Sequence, residues 1–75
     1  MSQLRIWRQH QGLSQADLGR LVGVTDNAIS QFERGVIKPR VLVCESLARA
    51  LNVPFADLFQ EFYGVSVAEP RHAAH

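Results

Sequence analysis

The chain has one cysteine, so no disulfide can form within it, and Cys44 is expected to pack as a small hydrophobe in a reducing compartment. No apolar run is long enough to span a membrane, and the first residues show no signal-peptide pattern. A cytoplasmic location without a membrane partner is the expectation. No segment alternates apolar and polar residues between turn signals, which argues against a sheet. Charge is scarce: eight Lys and Arg stand against seven Asp and Glu, for a net charge of +1. No nucleophile elbow, phosphate loop or metal-ligand cluster is present, so no catalysis, cofactor or metal is expected. His72 and His75 stand three apart near the C-terminus and offer two metal ligands at most. His10 falls near a helix C-terminus, where its charge suits the helix end.

What is present suffices for one folded domain. Of 75 residues, 47% are hydrophobic and 20% charged, which permits a packed core near the lower size limit for folding without metal or disulfides. Residues 1–63 read as that domain. From Gly64 the periodicity is lost, and residues 64–75 are expected to form a flexible tail.

The most informative segment is Gln15 to Arg34, QADLGRLVGVTDNAISQFER. Ser14 is placed to cap a helix from Gln15 to Val22, and Thr25 to cap a second from about Asp26 to Arg34, which stops at Gly35. Gly23 lies between them, where the chain turns sharply and positive φ is costless only for glycine. Two helices joined this tightly cross steeply, so the second projects outward. Leu18, Leu21, Val22 and Val24 are expected to pack inward from the first helix and turn, with Ile29 and Phe32 from the second. Gly19 costs a helix roughly 1 kcal/mol relative to alanine, but a missing side chain there lets the backbones approach. An ordinary αα-hairpin with an incidental glycine would share part of this pattern.

The remaining segments read as helical support. Leu4 and Trp7 share a face of a first helix ending before Gly12, and Ile6 lies off that face. Val36 to Arg40 is a connector, with Pro39 blocking helix continuation. A fourth helix, about Val41 to Leu51, places Val43, Leu47, Ala48 and Leu51 inward. Pro54 opens a fifth, roughly Phe55 to Phe62, rich in aromatic residues.

In this order and spacing, Arg8 with GLSQ (12–15), LGRLVGV (18–24), AISQFERG (28–35), Lys38-Pro39 and LARALNVPFADLF (47–59) resemble the Cro/lambda-repressor-like helix-turn-helix family, also called the XRE family. The resemblance runs from about Leu4 through Phe59. It implies an all-α, compact five-helix domain with the helix-turn-helix at helices 2 and 3. It further implies a DNA-binding transcriptional regulator, expected to be a repressor on a pseudo-palindromic operator.

Residue types and resemblance together assign roles. Asn27, Gln31 and Arg34 share one face of the second motif helix. Asn and Gln amides pair bidentately with adenine in the major groove, and the resemblance carries base contacts onto Asp26, Asn27 and Gln31. For Asp26 two readings stay open: an acceptor for cytosine or adenine amino groups, or a helix-start residue that contacts no base. Phosphate contacts are expected from Gln15, which matches the family's backbone-anchoring glutamine, and from Thr25, Ser30, Arg34, Lys38 and Arg40. Arg8 and Glu33 match a family ion pair and are read as structural.

A reader this small is expected to act as a homodimer, with half-sites about one helical turn apart. Phe55, Leu58, Phe59, Phe62 and Tyr63 exceed what a small core needs and form the candidate dimer surface, although Leu58 and Phe59 closing the core would be the plainer reading. The competing function is a protein-interaction module, such as an antitoxin or co-regulator, whose main partner is a protein. Charge distribution helps little. Residues 1–40 carry six basic against three acidic side chains, and residues 41–75 two against four.

Overall fold

The computed structural model describes residues 2–64 and contains five helices: α1 (Gln3–His10), α2 (Gln15–Val22), α3 (Asp26–Glu33), α4 (Val41–Leu51) and α5 (Phe55–Tyr63). Among the described residues there is no strand. Residues 65–75, and with them His72, His75 and all but the first residue of the expected tail, lie outside the described residues.

Local chemistry explains the boundaries. Ser2, Ser14 and Thr25 cap α1, α2 and α3, each side-chain oxygen accepting from the backbone amide three residues on. At α2 the cap is reciprocal, because the Asp17 carboxylate accepts from the Ser14 amide at 3.2 Å. Gly23 ends α2 in the left-handed region at φ 81°. Asn52 ends α4 the same way at φ 59°, and its side chain tolerates that conformation better than most.

Leu4, Leu18, Ile29, Phe32, Cys44, Leu47, Ala48, Leu51 and Leu58 form the core. Helix α2 packs on α3 and α4, α4 also on α5, and α1 on α3 and α5. Gly19 is the contact point that makes the motif tight. A Cβ there would lie 2.6 Å from the Val24 carbonyl oxygen and 3.1 Å from the Thr25 carbonyl carbon.

Two expectations about faces need correction. Leu21 is 62% exposed rather than inward. Burial of both Leu18 and Gly19 turns the inner face of α2 toward the α2–α3 turn and leaves Leu21 on the flank with Leu13, Asp17 and Arg20. On α4, Leu47, Ala48 and Leu51 are buried as expected, Val43 packs half-buried against the core, and Cys44 joins the buried set. Leu58 cannot serve a dimer surface, because it is fully buried in the core.

Candidate nucleic-acid interface

The start of α3 presents polar side chains to solvent. Asp26 and Asn27 are exposed and Gln31 is half-buried, while Ile29 and Phe32 on the opposite side enter the core. Thr25 Oγ1 accepts from the Ala28 amide at 3.0 Å, which leaves the Thr25 hydroxyl proton free to donate outward.

Behind this face, an ionic cluster fixes α3 to the rest of the domain. Arg8 Nε lies 2.5 Å from Glu33 Oε2, and the two side chains are 10% and 5% exposed. Arg8 Nη1 donates to the Leu13 carbonyl at 2.7 Å, and Gln15 Nε2 donates to Glu33 Oε1 at 3.1 Å. Three elements thus meet on one carboxylate. Among the described residues no buried side-chain nitrogen or oxygen lacks a partner, so the cluster carries no orphaned polar group.

Beside it, an open polar cleft of about 760 Å³ runs between the starts of α1 and α2 and the end of α3. Arg5, Gln15, Ser30 and Arg34 line it together with the Arg8–Glu33 pair. Arg34 Nε donates to Ser30 Oγ at 3.3 Å. Arg5 and Arg34 are both exposed, and neither forms an ion pair with a described residue. The cleft therefore offers two guanidinium groups beside the N-terminus of α2, an arrangement that attracts an anion. Sequence reasoning assigned Arg5 no role. Its position three residues before Arg8, on the same side of α1, was the signal available.

The other phosphate candidates sit apart from this cleft. Lys38 is exposed on the α3–α4 connector with its Nζ 5.3 Å from the centre of the Tyr63 ring. Arg40 is exposed at the N-cap of α4.

Helix α5 divides into two faces. Leu58 is in the core, and Phe62 meets the Phe32 ring edge-on at 6.3 Å. Phe55, Phe59 and Tyr63 form a ladder of rings, with centroids 5.6 and 4.7 Å apart, all half-buried. Most of the expected aromatic surface is thus turned against the domain itself.

Among the described residues two ionisable groups are displaced from their ordinary behaviour. The Ser14 backbone amide and hydroxyl, followed by the nearby Arg20, hold the Asp17 carboxyl below the usual carboxylate range. Burial pushes the Cys44 thiol up. No group of three or more metal-ligating side chains occurs among the described residues, and no helix there is long and apolar enough to cross a membrane.

Known proteins share this architecture in sequence. A helix-turn-helix family model matches residues 4–58. Two proteins named as uncharacterized HTH-type transcriptional regulators, from Sinorhizobium medicae (strain WSM419) and Rhizobium meliloti (strain 1021), are each 30% identical over 63 residues. Each match covers 84% of this chain but 45% of the relative, so the chain spans about half the length of these relatives. No solved structure gives a significant match. With the capped helix pair, the glycine turn and the family model all falling on the same residues, the chain belongs to the Cro/C1-type (XRE) helix-turn-helix family.

Proposed function

We propose that this chain is a sequence-specific double-stranded DNA-binding transcriptional regulator, a cytoplasmic repressor that occupies a pseudo-palindromic operator as a homodimer. The observation that carries this reading is the exposed polar start of α3, held rigidly by the buried Arg8–Glu33–Gln15 cluster and flanked by the Arg5–Arg34 cleft. Asn27 and Gln31 read adenine edges in the major groove, each good pair contributing about 1–3 kcal/mol of discrimination. Asp26 stands beside them as an acceptor for base amino groups. Arg5, Gln15, Thr25, Ser30, Arg34, Lys38 and Arg40 hold the phosphates on either side. The chemistry is recognition rather than catalysis and calls for no cofactor.

A random-sequence duplex pool, selected at near-physiological salt, tests this reading. Enrichment of a twofold symmetric site is the expected result. A folded protein that enriches nothing overturns the reading in favour of a protein-interaction module, for which the net charge of only +1 and the acidic Asp26 speak.

A further inference from the structure

Helix α4 turns one stripe of side chains to solvent. Leu42, Glu45, Arg49 and the C-capping Asn52 recur at steps of three and four, and all are exposed. Leu42, at the N-terminal end, is 74% exposed, more than any other large hydrophobic residue described. At the C-terminal end an open groove of about 710 Å³ is lined by Glu45, Ala48, Arg49, Asn52, Val53 and Phe55. Ala48, Val53 and Phe55 supply its apolar surface. Glu45 and Arg49 border it, and neither forms an ion pair with a described residue. One helix face thus carries a protruding leucine, an apolar groove and a pair of opposite charges.

We infer that this face meets the same face of a second copy, with the two α4 helices antiparallel. Each Leu42 sits in the other copy's groove, and each Glu45 pairs with Arg49 of the other copy. The inference rests on the homodimer reading above and supplies its contact surface, on α4 and the start of α5, where Phe55 is the one ring of the aromatic ladder that takes part.

The register is self-consistent. In a twofold contact, residue i meets residue j and j meets i. Setting 45 opposite 49 places the axis at residue 47, and the same register sets 42 opposite 52. Leu42 and Asn52 are ten residues apart, about 15 Å along a helix, so one register satisfies both charge pairs and both leucine–groove contacts. A parallel arrangement in register would instead oppose Glu45 to Glu45 and Arg49 to Arg49. Charge complementarity within one stripe is what selects a second copy as the occupant. The stripe and groove together comprise seven residues, Leu42, Glu45, Ala48, Arg49, Asn52, Val53 and Phe55, against roughly 20–30 a side in a stable standard interface. The free dimer is therefore weak, and its population rises steeply with protein concentration.

Sedimentation equilibrium of the full chain without DNA, from low micromolar to millimolar concentration, tests this independently of operator binding. The expected result is a monomer–dimer equilibrium that Leu42→Glu abolishes while leaving the melting temperature unchanged. Glu45→Arg or Arg49→Glu alone opposes like charges and weakens association about tenfold or more, and the double exchange Glu45→Arg/Arg49→Glu restores it. A monomer at every concentration overturns the inference. So does a dimer indifferent to Leu42→Glu, or a double exchange no better than the single variants. Magnetic contacts from Val53 methyls or the Phe55 ring to residues 65–75 within a monomer would give the groove to the chain's own C-terminus and overturn it too.

Discussion

The Tyr63 hydroxyl donates to the Pro39 carbonyl oxygen at 2.7 Å, joining the last turn of α5 to the connector between α3 and α4. The same oxygen accepts the Cys44 thiol at 3.6 Å. One carbonyl thus fastens the segment that carries Lys38 and Arg40. Tyr63→Phe removes the stronger bond but keeps the ring against Phe59 and under Lys38. The expected loss is about 1 kcal/mol, read as a melting temperature lower by about 4–8 °C in a domain of this size. An unchanged melting curve would show that water replaces the hydroxyl at no cost.

Gly19→Ala sets two effects against each other. Alanine favours the helix by roughly 1 kcal/mol. Its methyl group, however, would lie 2.6 Å from the Val24 carbonyl oxygen, a backbone atom that moves only with the turn. Overpacking of this kind costs about 1–3 kcal/mol, so the net change is destabilising or at best neutral. Urea unfolding measures it, and a stabilised variant would mean the turn relaxes freely.

The Arg8–Glu33 pair is buried enough that removing one partner strands the other. Arg8→Ala leaves Glu33 with Gln15 alone and deprives the Leu13 carbonyl of its donor. A loss of about 3–5 kcal/mol is expected for either single removal. The Arg8→Ala/Glu33→Ala double variant should lose less than the two singles added together. A double-mutant cycle in chemical denaturation measures that coupling, and strict additivity would deny the pair any structural role.

How far the sequence was readable depends on how local each signal is. Ser14, Thr25, Gly23 and Pro54 act on their immediate neighbours, so α2 and α4 end where they were expected to, α3 stops one residue earlier, at Glu33, and α5 runs one residue further, to Tyr63. Facing is a tertiary property. Leu21 looked inward because Leu18 and Val22 are apolar, but the close approach at Gly19 rotates the inner face away from it. In α5 apolar residues cover so wide an arc that periodicity could not tell Leu58, in the core, from Phe59 in the ladder. The polar, solvent-facing start of α3 followed from residue type and motif. The cleft that adds Arg5 to Gln15 and Arg34 did not, because it unites three elements distant in sequence.

Asp17 gives the domain an acid-sensitive cap. Its folded-state pKa lies below the ordinary value of 3.8, chiefly because the Ser14 amide donates to the carboxylate. A depressed carboxylate stabilises the fold above its unfolded pKa, and that contribution is lost as pH falls through the folded value. Asp17→Asn should therefore melt below the unaltered protein at neutral pH, and the gap should close as pH drops beneath 3.8. Melting temperatures across an acid series check the sign. A gap that persists in strong acid would assign the effect to amide geometry rather than charge.

The proposed base-reading role of α3 and phosphate-holding role of the connector separate experimentally. Asn27→Ala or Gln31→Ala removes a bidentate amide, so affinity for the selected site should fall by about 1–3 kcal/mol while binding to unrelated duplex barely changes. Lys38→Ala removes a cation from the connector, so affinity should fall alike on every sequence and the slope of log affinity against log salt should lessen by about 1. Titrations of a specific and a scrambled duplex at several salt concentrations resolve both. If Lys38→Ala altered the ratio between the two duplexes while Asn27→Ala and Gln31→Ala left it intact, the connector rather than α3 would carry sequence preference. The start of α3 would then be a solvated polar face.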